Sequence, residues 1–160
     1  MSFERAISFT LQHEGGYVHD PADPGGETRF GISKRAYPDV DIKHLTIEQA
    51  RDIYRRDYWE APRIALLRSA EIAARVFDLG VNCGPATAVR MLQRAVNLLQ
   101  PLERVAEDGR LGPVTAAAVN AYGHPRALLA ALKFQAAAHY IALNRPRFLA
   151  GWLNRLESPI

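Results

Sequence analysis

The sequence predicts a mainly α fold, a helical bundle with a small irregular or β-hairpin lobe near its front. Three observations carry that expectation. Apolar residues recur at helical spacing through most of the 160 residues. Several of these runs open on a proline or a capping box. Residues 15 to 45, by contrast, are rich in Gly, Pro and Asp and hold only short apolar pieces such as RFGI, which is the composition of loops and hairpins.

The elements follow in order. Phe3, Ala6, Ile7, Thr10 and Leu11 share one helical face, so residues 3 to 13 form a first helix, which Gly15-Gly16 stops. A second helix starts near Thr46, where Thr46-Ile47-Glu48-Gln49 is a capping box and Leu45 and Ala50 are placed for a hydrophobic staple. It is expected to reach about Trp59 and to end at Pro62. Residues 70 to 82 form a third, with Ile72, Val76 and Leu79 on one face. Two later helices open alike, on Gly84-Pro85 and on Gly112-Pro113, with proline at the first helical position. Another runs from Pro125 to about Asn144, and a short last one holds Phe148, Trp152 and Leu156. No low-complexity segment appears.

Composition narrows the class. A chain of this length buries roughly 68–70% of its unfolded surface and folds without staples. Hydrophobic residues make up 48% and charged ones 23%, ordinary values for a soluble globular protein. The lone Cys83 rules out an internal disulfide and fits folding in a reducing compartment. The formal charge of +3 is a mild bias towards anionic partners, such as a cell wall, nucleic acid or acidic lipid. No run of five like charges argues for a nucleic-acid tail. The N-terminus lacks a basic start followed by an apolar core, and no stretch of 18 apolar residues occurs. The expectation is therefore a protein made in the cytoplasm without a signal peptide, with no stable membrane insertion.

The stretch HEGGYVHDPADPGGETRFGI, residues 13 to 32, is where chemistry concentrates. Glu14 stands at the end of the first helix, where unpaired carbonyls form a negative pole that disfavours an ionised carboxylate. Burial by apolar neighbours would raise its pKa above the ~4.3 of a free Glu, which suits a general acid. The competing reading is a solvated surface Glu. Asp23 has a strong turn-forming role in Asp-Pro-Gly-Gly. Its functional reading is the second carboxylate of a glycosidase pair, holding a water or facing a developing sugar cation. Asp20 has the same turn-forming reason and a lower claim. Thr28 is either a strand residue or a hydroxyl that orients water. The acids at 20, 23 and 27 do not have calcium-loop spacing. The five histidines include no HExxH, and Cys83 has no placed histidine partner, so neither a metal nor a thiol nucleophile is expected.

Asp78 and Asn82, four apart on one helix, either pair internally or hydrogen-bond a sugar's acetamido and hydroxyl groups. Of the aromatics near the front, most belong to the core. Tyr17 and Tyr58, with Asp78 and Asn82, make up the candidate substrate-binding set.

The motifs Glu-Gly-Gly, Asp-Pro-x-Asp-Pro-Gly-Gly, the following Thr and Gly-Ile resemble the signature of glycoside hydrolase family 108. These are N-acetylmuramidases of phage endolysins and bacterial secretion-activator proteins. FDLGVNCGPATAVRMLQRAV is similar to that family's second stretch. EDGRLGPVTAAAVN and RPRFLAGWLNR are similar to the small peptidoglycan-binding module that follows it. The resemblance implies a lysozyme-like fold, with residues 1–95 as catalytic region and 96–160 as a peptidoglycan-binding-like region packed on it as one unit. It implies cleavage of the β-1,4 bond between N-acetylmuramic acid and N-acetylglucosamine, with Glu14 as the catalytic acid and no cofactor. Roles for Asp23 and Thr28 come from a looser likeness to phage lysozymes. The expected partner is the glycan strand of peptidoglycan, met by a monomer, with no nucleic acid. The missing leader suggests a phage or prophage endolysin dependent on a holin. The alternatives at this point are a lytic transglycosylase on the same bond, an amidase, and a non-catalytic wall-binding protein.

Overall fold

The computed structural model describes residues 3–13, 16–19 and 26–159, the side chains of Arg5, Phe9, Gln12, His13 and His19 excepted. Helix α1 (Phe3–His13) is followed by three short strands, β1 (Val18–His19), β2 (Glu27–Arg29) and β3 (Ile32–Ser33). Then come α2 (Ile47–Tyr54), a π-helical segment (Arg55–Glu60), a 3-10 turn (Ile64–Leu66) and α3 (Ala70–Cys83). The chain closes with α4 (Pro85–Leu99), α5 (Pro113–Ala121), α6 (Pro125–Ala142) and α7 (Pro146–Glu157).

The front lobe is an antiparallel sheet in the order β1-β2-β3, with Val18 opposite Thr28 and Thr28 opposite Ser33. The β2–β3 turn is Phe30-Gly31, both at positive φ (50° and 76°). Two such residues make the turn whose twist matches a two-residue hairpin. Phenylalanine at the first position is unusual there. The Tyr54 hydroxyl holds it by donating to the Phe30 carbonyl at 2.8 Å.

Capping chemistry sets the helix starts. In α2, Thr46 Oγ1 accepts from the Gln49 N–H (3.2 Å) and Gln49 Oε1 accepts from the Thr46 N–H (2.9 Å), the reciprocal box read in the sequence. The expected α-helix to Trp59 stops at Tyr54 and gives way to the π-helical segment. Five positions separate Tyr54 and Trp59, which an α-helix would turn well apart. In the wider coil both rings pack on Phe77, at centroid distances of 6.3 and 5.9 Å. Packing thus overrides the α spacing.

Helix α3 is central. The sequence pattern predicts one apolar face, yet all nine residues from Ile72 to Gly80 are buried. Phe77 is fully buried and meets Phe3 edge-on at 5.8 Å, so α1, the π-helical segment and α3 share one aromatic cluster. Burying a ring of this size contributes roughly 1.5–3 kcal/mol. Helix α4 packs on both α3 and α6, and the buried apolar residues among those described form one continuous cluster. Helix α7 closes on α6 through a stacked pair, Tyr140 and Trp152, 5.0 Å apart. No helix among the described residues is long and apolar enough to cross a membrane.

The link between α4 and α5 lacks regular structure but is firmly held. Gln93, fully buried on α4, donates to Asp108 Oδ1 (2.8 Å), the Arg110 carbonyl (3.2 Å) and Thr115 Oγ1 (3.3 Å), and its own oxygen accepts the Gly109 N–H (2.8 Å). Asn97, one turn on, exchanges hydrogen bonds with the Val105 backbone and reaches Glu107 (3.0 Å). Satisfied buried amides of this kind rigidify what they hold. Gly109 sits at φ +75°, and a Cβ there would come within 2.7 Å of the Ala86 carbonyl oxygen. Gly109→Ala is expected to cost about 1–3 kcal/mol, measured by urea unfolding; an unchanged midpoint would contradict this packing.

Candidate functional site

The two residues with the strongest catalytic expectation, Glu14 and Asp23, lie outside the described residues. What is described is their frame. Helix α1 ends at His13, one residue before Glu14. Thr28 is the middle residue of β2 and pairs on both sides, with Val18 and Ser33, so its backbone position is fixed by the whole sheet. Tyr17, 40% exposed, donates its hydroxyl to Glu27 Oε1 at 3.2 Å. Lost hydration and that carboxylate neighbour raise its pKa, so the phenol stays a donor.

A second polar group joins this lobe to the helices. Tyr37 donates to Asp57 Oδ2 at 2.8 Å, and Arg56 grips both Asp57 oxygens at 2.7 Å. Arg56, with Tyr37, holds the Asp57 carboxyl below its ordinary value, while burial and Asp57 push the Tyr37 phenol up. Asp57 is therefore a fixed anion. It belongs to the π-helical segment, an irregularity found often at functional sites. Tyr58, beside it, is half-buried with its ring 5.5 Å from Tyr54.

Asp57 also lines a cleft of about 530 Å³. Pro62 and Arg63 form one wall; Ala86 and the Gly109–Gly112 loop form the other. A neighbouring groove of about 490 Å³ runs past Trp59, Glu60 and Pro113, and Arg63 borders both. Arg63 adopts the left-handed conformation (φ 61°, ψ 36°), which costs a non-glycine residue free energy.

Residues 7–84 match the family model described as Glycosyl hydrolase 108, and residues 87–157 match the one described as Predicted Peptidoglycan domain. The solved structure of Brucella abortus SagA is similar over 96% of this chain and 88% of its own, at 32% identity and a TM-score of 0.82. The chain belongs to the glycosyl hydrolase 108 family. None of the curated proteins matches it.

As a glycosyl hydrolase 108 protein it is a glycoside hydrolase with peptidoglycan as its partner, on the mainly α, lysozyme-like fold that the sequence predicts. The helical part of this family member corrects one expectation about substrate contact. Asp78 is 2% exposed, and its oxygens are taken by Arg155 (2.8 and 3.0 Å) and Arg75 (3.4 Å). It ties α3 to α7 and is closed to a sugar hydroxyl. Asn82 is exposed but donates to the Tyr140 hydroxyl at 2.7 Å, on the α7 side of α3. Asp78 therefore serves the docking of α7, while Asn82 keeps an exposed face.

Cys83 is equally occupied. Its Sγ–H donates to the Leu79 carbonyl at 2.9 Å, and burial, with Asp78 nearby, pushes the thiol up to about 12. Native protein is expected to resist alkylation at pH 8 and to react at once when unfolded; rapid labelling of the folded form would contradict this.

Sequence reasoning missed Asp57, Arg63 and Arg110 in this glycosyl hydrolase 108 chain. Asp57 reads as a solvated helix charge until the π turn is known. Arg63 follows Pro62, which marks only a helix end. Arg110 lies inside the EDGRLGPVT motif, which marks the module and not the direction of one side chain.

Proposed function

We propose that this glycoside hydrolase is an N-acetylmuramidase that hydrolyses the β-1,4 bond between N-acetylmuramic acid and N-acetylglucosamine. Glu14 donates its proton to the glycosidic oxygen as the bond to the anomeric carbon breaks. Water supplies hydroxide to that carbon and returns a proton to the site. Asp23, with Thr28, positions that water or stabilises the oxocarbenium-like state.

One observation carries this reading. The glycosyl hydrolase match spans residues 7–84, including the whole HEGGYVHDPADPGGETRFGI stretch, and adjoins a peptidoglycan domain in the same chain. Sequence position supports Glu14 as the acid. In sequence Glu14 comes directly after His13, the last described residue of α1, and a helix C-terminus disfavours an ionised carboxylate. The sheet on either side of Thr28 gives that hydroxyl a fixed origin, and positioning errors of about 1 Å cost ~100-fold in rate. We read residues 1–95 as the cutting region and 96–160 as wall-binding, joined by α4 into one packed unit.

Digestion of purified peptidoglycan, followed by weighing of the fragments, tests the reading. New reducing ends on N-acetylmuramic acid are expected. Anhydro-muramyl ends would replace hydrolysis with transglycosylation, and free amines would point to an amidase. The anomer first formed, followed by NMR, reports the separation of the carboxyl groups: inversion for roughly 6.5–9.5 Å, retention for roughly 5–5.5 Å.

A further inference from the structure

The cleft lined by Asp57 lies on the seam between the two matched regions. Asp57, Pro62 and Arg63 come from residues 7–84, and Gly109, Arg110 and Gly112 from residues 87–157. Anything bound there touches both. Two of its lining side chains are cationic. Arg63 and Arg110 line it, both exposed, and neither guanidinium has a hydrogen-bond partner among the described residues. The acids nearby have other hydrogen-bond partners. Asp57 is held by Arg56 and Tyr37, and Asp108 accepts from Gln93 and from the Arg110 backbone N–H (2.9 Å), with the Arg110 charge close enough to help hold it ionised. Ala86, in the first turn of α4, and Gly112, the cap of α5, lie on the wall. Neither helix start has a side-chain cap, so their N–H dipoles add to the same sign.

The cleft is also built to stay in place. Buried Gln93 and the close fit of Gly109 on Ala86 fix the loop that carries Arg110, and the strained backbone of Arg63 sets the opposite wall. The sugars of a glycan strand are joined by β-1,4 glycosidic bonds and present uncharged hydroxyl and acetamido groups. The anionic groups of peptidoglycan's repeating unit sit on the peptide stems, as carboxylates.

Resting on the peptidoglycan reading above, we propose that Arg63 and Arg110 form a subsite for the carboxylates of peptidoglycan's peptide stems. Guanidinium forks suit this role, because each can give two parallel hydrogen bonds to one carboxylate. The subsite lets one wall ligand span the cutting and binding regions.

The test is co-sedimentation with intact sacculi and with sacculi whose stems an amidase has removed. Unaltered protein is expected to bind the stem-bearing wall about tenfold more tightly. The Arg63→Gln/Arg110→Gln protein should lose that preference while binding stripped glycan as before, and Arg→Lys at both positions should restore part of it. A synthetic peptide stem, but not its carboxamide form, should displace unaltered protein from intact sacculi, a readout that needs no variant to fold. Equal binding of both walls by unaltered protein, a preference that survives the double substitution, or no displacement by the free stem would each overturn the subsite. Failure to cut any bond would instead sink the muramidase reading and leave this binding ratio readable.

Discussion

Glu14→Gln is expected to yield a folded protein whose release of soluble fragments from peptidoglycan falls by about 10²–10⁴-fold, the usual contribution of a positioned proton donor. The substitution keeps the size and hydrogen-bonding reach of the side chain and removes only the transferable proton. Loss of rate with an unchanged melting transition therefore isolates chemistry from folding. The position makes structural damage small: Glu14 follows the last residue of α1, and the aromatic cluster that anchors α1 is carried by Phe3 at its other end. Binding to sacculi should persist, because the second matched region, residues 87–157, is untouched. A variant that clears walls at full speed would remove Glu14 from the mechanism. One that melts much earlier would make it a structural residue.

Much of this fold is legible in the sequence because helix signals are local. The Thr46–Gln49 box, the Gly-Pro starts of α4 and α5, and the end of α1 at His13 all follow from residues within one turn of the boundary. What escapes is set by contacts distant along the chain. The π-helical segment exists because Tyr54 and Trp59 both seek Phe77, some twenty residues later. The Phe30-Gly31 turn is held by Tyr54. The same division governs the site. Glu14 and Asp23 stand out through a contiguous motif, whereas the seam cleft is assembled from segments around 57, 63, 86 and 110, each unremarkable alone. Asp78 misleads for a related reason. Spacing puts it on a helix face with Asn82, but only the fold reveals that α7 brings Arg155 onto it.

That partner makes Asp78→Ala the most damaging helical substitution expected here, at about 3–5 kcal/mol, the cost of leaving buried charge unpaired. Arg75, whose side chain is 3% exposed, would keep its guanidinium inside without the carboxylate. Burial already depresses its pKa against the opposing pull of Asp78, and its Nε lacks a partner among the described residues. Arg155, 16% exposed, would lose its two hydrogen bonds to Asp78, which help to hold α7 down. For a chain of this size each kcal/mol shifts the midpoint by roughly 2–4 °C, so the loss should lower the melting temperature by about 10 °C. Arg155→Ala should cost less, because its charge is nearer to solvent and Arg75 still faces Asp78. The double substitution should cost less than the sum, since both changes break the same pair. Asp78→Asn separates the two roles once considered for this residue. A sugar ligand would raise KM on peptidoglycan with the melting temperature unmoved. The buried tie lowers the melting temperature and leaves KM alone at temperatures where the protein is folded, and the opposite pattern would return Asp78 to the substrate.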